Sequence, residues 1–565
     1  MEKRKKIWCC LLFAALVAYT IKNIFVGADV DEGYGIMAGY RLAAGDKLLL
    51  EMWEPHQTSA IFTALLIRPF LWLTGGNEFL NIYLRMMYFL VQGLIAVYLC
   101  RTLRSCLPWM EREIAVLLSM GFYLITPKCI CIPEYSNLHI WFFTLLCIQL
   151  IRYYAPESLR RGKIYCLALA GIFLACDVLA YPSMALLFPV CVIFILWKHV
   201  QARWKEVFSF AAPCVLGAIT FIAYLLSYMT PELILQILPY ILGEESHQAD
   251  VGAKLTIWVM DFGYMAVVLL IGGAVSWGLL ILWHRISRKE TQADPKELYM
   301  FLFYLVQLVY QLYCWFTNIY NAAYPQIVLV AICLMGIYCY FRSGRREKTG
   351  FYLILFTGIN YFAVLLMSNW GPANLNSYLI MGVIGGFLCW YRCYGVENRG
   401  GHRLLTTACA VFVLINAVAY SYFIIGDDAV NPSILDVRGI NHEGVRKGIL
   451  TSYMTAYRYN VNQEIWEEAV PDGSTVLYVG QSQFYYMLGD CTIASPNTIS
   501  TPSYDESMLA YWELNPDRYP DVVAVESWFG DIRIIAEDSF LAGWLETDFQ
   551  ASRIVDYPYI TVYYK

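Results

Sequence analysis

The chain has 565 residues, 59% of them hydrophobic and only 15% charged. A soluble protein of this length would carry about 25% charged residues, and here the apolar residues gather into runs of about twenty, the length that crosses a bilayer core, so a soluble globular class is excluded. After residue 425 there are 21 Asp/Glu against 8 Lys/Arg, which leaves 24 acidic and 32 basic residues before it; the basic ones sit in short loops rather than on one face, which argues against nucleic acid.

The first expected span, 7–27, follows Met-Glu-Lys-Arg-Lys-Lys. A signal peptide would look similar at its start. The apolar character continues to Val26, however, and Lys22 can snorkel, so the reading is an uncleaved helix. A long segment, 28–80, comes next. Val30-Asp31-Glu32-Gly33-Tyr34 opens a helix-like stretch through Ala44, with Gly45 placed to cap its C-terminus. Trp53-Glu54-Pro55-His56-Gln57-Thr58 leads into an apolar run at 58–74, broken by Arg68-Pro69. An arginine at mid-membrane is expensive, so this run is expected to hug the membrane surface rather than cross it. Twelve further spans follow at 81–100, 112–128, 137–154, 164–180, 182–199, 206–228, 258–283, 298–316, 323–341, 350–367, 375–391 and 404–425.

Loop charge decides the orientation. With 58–74 kept out of the membrane and the N-terminus cytoplasmic, 25 Lys/Arg fall in inside segments and only Arg41, Lys47, Arg68, Lys128 and Lys254 fall outside. Counting 58–74 as a span would invert every later loop. The expectation is therefore thirteen spans, with 28–80 and the tail outside, in a plasma membrane that the reading takes to be bacterial.

The tail, 426–565, has another texture. Thr475–Gly480, Asp521–Glu526 and Tyr559–Tyr564 read as strands, and 464–470 and 506–514 as helices. Two domains result: a mainly α helical membrane bundle at 1–425, and a small extracytoplasmic α/β domain at 426–565. The tail aromatics Tyr485, Tyr486, Tyr504, Trp512, Trp528 and Trp544 suit core packing, with sugar stacking as the alternative. Of the 18 cysteines only Cys491 lies in the tail, so there is no disulfide framework.

An acidic pair just after the first span, then Tyr-x-x-x-Ala and Gly-Asp, resembles the GT-C glycosyltransferases. Asp31-Glu32-Gly33-Tyr34, Ala38, Gly45-Asp46 and Glu54-Pro55-His56 follow the order of the protein-mannosyltransferase and aminoarabinose-transferase branch, glycosyltransferase family 39-like. Pro133-Glu134-Tyr135, before the fourth span, matches a second acidic position of that branch. The likeness covers roughly 28–200, together with the plan of many spans and an outer soluble domain. It implies transfer of a sugar from a polyisoprenyl-phosphate donor, with inversion, to a glycan, lipid or protein acceptor on the outer face. The branch commonly carries Lys-Pro-Pro late in the first loop; here Glu54-Pro55-His56 stands there instead, so His56, Lys128, Arg85 or Arg41 would have to supply the positive charge.

The chemistry needs a base for the acceptor hydroxyl and a cation for the departing phosphate. Asp31 is the expected base, with Glu32 beside it and Glu134 orienting sugar or acceptor. His56, Arg85 and Lys128 are expected at the phosphate, and Tyr34 and Glu54 at the substrate. Each has a structural alternative: Asp31 as a helix N-cap, Glu134 as a solvated loop carboxylate, Arg85 and Lys128 as snorkelling residues. Asp177 and Asp261, at outer span ends, and Asn318, Asn321, Trp370, Asn374 and Asn376, in outer loops, are further candidates. The segment Glu244-Glu245-Ser246-His247-Gln248-Ala249-Asp250 could bind a divalent cation or the acceptor, but a solvated acidic loop is the preferred reading, because the ligands are adjacent and no second cluster answers them. The competing functions are a transporter or flippase of lipid-linked saccharides and a non-catalytic cell-envelope assembly protein.

Overall fold

The computed structural model describes residues 2–54, 56–127, 130–155, 163–198, 203–242, 251–286, 294–317, 326–344, 346–396, 398–424, 433–480, 482–498, 507–526, 528–529, 532–533, 535 and 539–565. The membrane part is built from α1 (Glu2–Phe25), α2 (Val30–Ala44), α3 (Ala60–Thr74), α4 (Leu80–Cys106), α5 (Arg112–Leu124), α6 (Tyr135–Tyr154), α7 (Lys163–Ala180), α8 (Leu187–Lys198), α9 (Arg203–Leu226), α10 (Pro231–Leu242), α11 (Val251–Ile286), α12 (Pro295–Thr317), α13 (Ile327–Arg342), α14 (Lys348–Met367), α15 (Ile380–Trp390) and α16 (Arg399–Tyr422). Among the described residues, eight helices are long and apolar enough to cross a membrane, and this is an integral membrane protein. Every one of the thirteen expected spans coincides with a helix. The spans at 182–199 and 375–391 each open with a tight 3-10 stretch, Pro182–Leu186 and Pro372–Leu379, before continuing as α8 and α15. Helix α10 was not expected; it lies between the expected spans 206–228 and 258–283.

The bundle is closed by small residues. A Cβ on Gly350 or Gly385 would meet the other's carbonyl oxygen at 2.6 and 2.4 Å, and one on Gly336 would lie 2.5 Å from Gly386 Cα. Glycine lets α13, α14 and α15 approach backbone to backbone, which is how helices associate where water exclusion gives no drive.

Helix α2 starts and stops for local reasons. Asp29 is its N-cap, accepting the Asp31 amide at 2.8 Å, so the cap lies two residues before the residue the sequence offered for it. Asp31 and Glu32 then occupy the first turn, where the helix dipole favours negative charge. Gly45 closes the helix at φ 123°, a conformation that L side chains avoid. Arg68 explains the broken run after it: from α3 its Nη2 donates to the Leu42 carbonyl at 2.9 Å, near the open end of α2. Helix α3 has 15 residues, about 22 Å of helix against a core of about 30 Å. Its Leu65, Trp72 and Leu73 are exposed.

The tail forms a hairpin, β1 (Val437–Ile440) with β2 (Leu450–Ser452), followed by helix α17 (Tyr453–Ala469). Strands β3 (Thr475–Val479), β4 (Thr492–Ile493), β5 (Val522–Glu526), β8 (Arg553–Asp556) and β9 (Ile560–Tyr564) make one sheet in the order β4-β3-β5-β9-β8, with β6 (Trp528–Phe529) and β7 (Ile532–Arg533) paired separately. The β3 pairings are parallel and the β9 pairings antiparallel. The expected strands are in place. The first expected tail helix is longer than its sequence signal, because Ser452 caps it twelve residues before Glu464.

Each face of this sheet packs on something. On one face Trp466, Tyr478, Tyr485 and Tyr486 share a core with Ile36, Met37, Ile67, Leu80 and Leu84 of the membrane part. On the other, Leu477, Val479, α18 (Ser507–Leu514) and α19 (Phe540–Trp544) share one with Trp53, Met229, Ile237 and Ile241. The tail aromatics Tyr485, Tyr486, Trp512 and Trp544 are thereby core residues. Tyr504 lies outside the described residues. The first loop and the tail are therefore docked on each other, at the same end of the bundle.

Candidate functional site at the N-terminus of helix α2

On a helix, positions i, i+3 and i+4 share a face, so Asp31, Tyr34 and Gly35 face together. Gly35 is the close-contact point: a Cβ there would lie 2.7 Å from Glu134 Cβ. One turn on, a Cβ on Gly39 would meet Thr63 at 2.7 Å, and Thr63 Oγ1 donates to the Pro133 carbonyl at 2.6 Å. Two glycines four apart thus seat α2 against the Pro133-Glu134-Tyr135 segment and against α3. The two acidic signatures of the sequence, about a hundred residues apart, meet here.

Glu134 is not a solvated loop carboxylate. It is 2% exposed and caps α6, accepting the Ser136 and Asn137 amides, both at 2.9 Å. That cap fixes Tyr135, whose ring lies edge-on to Tyr34 at 6.2 Å and face to face with His56 at 4.0 Å. His56 also meets Tyr181 at 4.8 Å. Tyr34, His56, Tyr135 and Tyr181 form an aromatic wall beside the face that carries Asp31. Asp31 is half-buried.

The acidic pair is split. Glu32 is 1% exposed and gripped by Arg85: Nε donates to Oε1 and Nη2 to Oε2, both at 2.6 Å. Arg85 Nη2 also donates to the Gly27 carbonyl at 2.8 Å, and Nη1 reaches the Asn23, Ile24 and Val26 carbonyls at 3.3–3.4 Å. Burial alone would push the Glu32 carboxyl up; the Arg85 charge and hydrogen bonds, with a further contribution from Arg446, overcome it and hold the group below its ordinary value. Arg85 therefore ties α1, α2 and α4 together, and its donors are engaged, which leaves it poorly suited to a lipid phosphate. A cavity of about 20 Å³ beside this clamp, bordered by Lys22, Asp29, Glu32 and Arg85, has room for about one water.

Glu54 and Arg41 belong to a second polar knot, between the first loop and the tail. Glu54 Oε1 accepts from the Thr498 amide at 3.0 Å and from its hydroxyl at 2.9 Å, with Arg41 Nη1 at 3.7 Å. Arg41 Nε pairs with Asp46 at 2.7 Å, and Arg518 Nη2 pairs with the other Asp46 oxygen at 2.7 Å and with Glu51 at 3.2 Å. Burial acts to lower the Arg41 pKa, but Asp46 more than compensates, so the guanidinium is firmly charged.

A buried pair that sequence reasoning only half found lies deeper. His139 Nδ1 and Asp177 Oδ1 are 2.7 Å apart, both fully buried, and Asn360 Nδ2 donates to His139 Nε2 at 3.3 Å. That network places the ring proton on Nδ1, donating to Asp177. Asp177 was legible as an intramembrane acid; His139 was passed over, although it stands one helical turn after Tyr135. Asp261, within α11, accepts the Ala373 amide at 3.0 Å, and Asn376 is buried, donating to Met265 Sδ at 3.4 Å. Lys128, Asn318, Asn321 and the segment 244–250 lie outside the described residues. Among the described residues no group of three His, Cys, Asp or Glu is placed to hold a metal.

No family model and no curated protein matches the sequence. Among solved structures, the chain is similar to ArnT from Cupriavidus metallidurans, in the apo state (12% identity, TM-score 0.42, covering 99% of this chain and 98% of that one) and bound to undecaprenyl phosphate (12%, 0.45, 98% and 97%). It is also similar to the Archaeoglobus fulgidus oligosaccharyltransferase tethered with an acceptor peptide (11%, 0.44, 92% and 69%).

Proposed function

We propose that this protein is a GT-C-type glycosyltransferase that moves a sugar from a polyisoprenyl-phosphate donor to an acceptor on the outer membrane face. One observation carries the reading: the α2 N-terminus brings Asp31, the Glu134 cap and an aromatic wall together where the first loop, the bundle and the C-terminal domain meet. Of the sequence motifs that resemble the GT-C enzymes, Asp31-Glu32-Gly33-Tyr34, His56 and Pro133-Glu134-Tyr135 converge there, while Asp46 and Glu54 join the neighbouring knot with the tail.

In this reading Asp31 is the base and Glu32 is not. Asp31 takes the proton of the acceptor hydroxyl as its oxygen bonds to the anomeric carbon. The bond from that carbon to the phosphate oxygen breaks, and its electron pair stays on the lipid phosphate. Attack opposite the leaving group inverts the anomeric centre. Glu32, locked to Arg85, fixes the backbone that carries Asp31. Tyr34, His56, Tyr135 and Tyr181 offer ring faces of the kind that pack against sugars and prenyl chains. Glu134 acts through Tyr135, as a positioning residue. Glu54 and Arg41 hold the first loop to the C-terminal domain.

The test is incubation of the purified full chain with a panel of polyisoprenyl-phosphate sugars and membrane-extract acceptors. Release of free polyisoprenyl phosphate coupled to labelling of an acceptor is expected. Movement of intact lipid-linked saccharide across vesicles without cleavage would establish the transporter reading instead.

A further inference from the structure

The loop between β1 and β2 presents an arginine that, among the described residues, has no carboxylate in ion-pairing contact; Glu32, already gripped by Arg85, feels its charge from further off. Arg446 is 7% exposed. Its guanidinium lies 4.4 Å from the Phe484 ring centre and 5.5 Å from that of Tyr459, and Nη2 donates to the Asp29 carbonyl at 3.4 Å. Among the described residues no carboxylate lies within ion-pairing distance of it, and Nε has no acceptor. Arg41, Arg85 and Arg518 differ in each having a carboxylate at 2.6–2.7 Å. A buried cation with no carboxylate in contact is costly, and stacking on two rings, one long bond to a carbonyl and the distant Glu32 charge offset only part of that.

The loop is rigidly held. The Asn81 amide donates to the Val445 carbonyl at 3.1 Å, linking it to the first turn of α4. Gly448 at φ 83° and the bond from its amide to the Asn441 carbonyl, 2.9 Å, close the turn. The guanidinium is thus fixed at the capping residue of α2, two positions before Asp31.

We infer that Arg446 meets the phosphate of the lipid-linked donor, so that the C-terminal domain supplies a substrate-binding residue to the site at Asp31. This rests on the donor class proposed above. Arginine matches phosphate by charge and by paired donors, and a cation at that place would stabilise the charge that grows on the departing phosphate. The domain is then a working wall of the site.

The experiment compares binding of a polyisoprenyl phosphate and of the uncharged polyisoprenol to the full chain in detergent, for the wild type, Arg446→Met and Arg446→Lys. Methionine keeps apolar contact with Phe484 and Tyr459. The wild type is expected to prefer the phosphate. Arg446→Met should lose that preference by about tenfold or more, with alcohol binding and Tm unchanged, and Arg446→Lys should recover part of it. Retention of the preference by Arg446→Met overturns the inference, as does a loss that tracks a fall in Tm and alcohol binding and that lysine does not restore. A wild type that binds neither lipid removes the donor reading itself, a different result from a wild type and Arg446→Met that prefer the phosphate equally.

Discussion

Arg85 grips both oxygens of Glu32 at 2.6 Å across 53 residues of chain. The acidic pair in the sequence is thereby two residues with two jobs, and neighbouring carboxylates that look alike in the motif differ by what lies under them. Removing one partner leaves the other buried and uncompensated, at a cost of about 3–5 kcal/mol. Glu32→Ala and Arg85→Met should each lower the unfolding free energy of the solubilised chain by that order, and the double variant should lose less than their sum. Strict additivity would show that the clamp contributes nothing as a pair.

The same pair sets an acid limit. The Glu32 carboxyl is held below its ordinary value of 4.5 in the folded protein. The unfolded state therefore binds its proton first as pH falls, so the stability it contributes is present above that value and is lost as pH drops through the folded one. Unfolding midpoints recorded from pH 6 downward should fall more steeply for the wild type than for the Glu32→Ala/Arg85→Met double variant. Parallel curves would remove the clamp from the acid response.

Glu134 offers a milder perturbation. Glu134→Ala removes a cap that accepts two amides, which costs about 1 kcal/mol. Since Tyr135 starts the helix so capped, substrate affinity should fall as well. Glu134→Asp, which keeps a capping carboxylate, should restore much of both. Unfolding midpoints and KM for the two variants check this, and a Glu134→Ala chain with unaltered KM would separate the cap from the site.

Orientation is open to a direct probe. Lys47 is exposed beside the polar knot between the first loop and the tail, and a cysteine there disturbs neither Arg41 nor Asp46. In intact cells Lys47→Cys should react with a membrane-impermeant maleimide above the wild-type background. Reaction only after the cytoplasmic face is opened would place the site on the wrong side for the proposed chemistry.

The sequence showed most of the helices because their signal is local. Each span is a run of apolar residues, and α2 carries its own start at Asp29 and stop at Gly45. Even Arg68, read as a reason to keep α3 out of the membrane, has a local partner in Leu42. Less of the site was legible, since its contacts are distant in the chain. Glu32 finds Arg85 on α4, His139 finds Asp177 at a separation of 38 residues, and Arg446 reaches Asp29 across 417. No window of sequence shows that Glu134 will be buried against Gly35, or that Glu54 will meet Thr498 of the tail.

The account turns on Asp31, and the most direct measurement is sugar transfer from a polyisoprenyl-phosphate donor by purified Asp31→Asn beside the wild type. Loss of a general base costs about 10²–10⁴-fold in rate, so kcat should fall by that order while donor binding and Tm stay unchanged. An Asp31→Asn protein that transfers sugar at the wild-type rate would contradict the account.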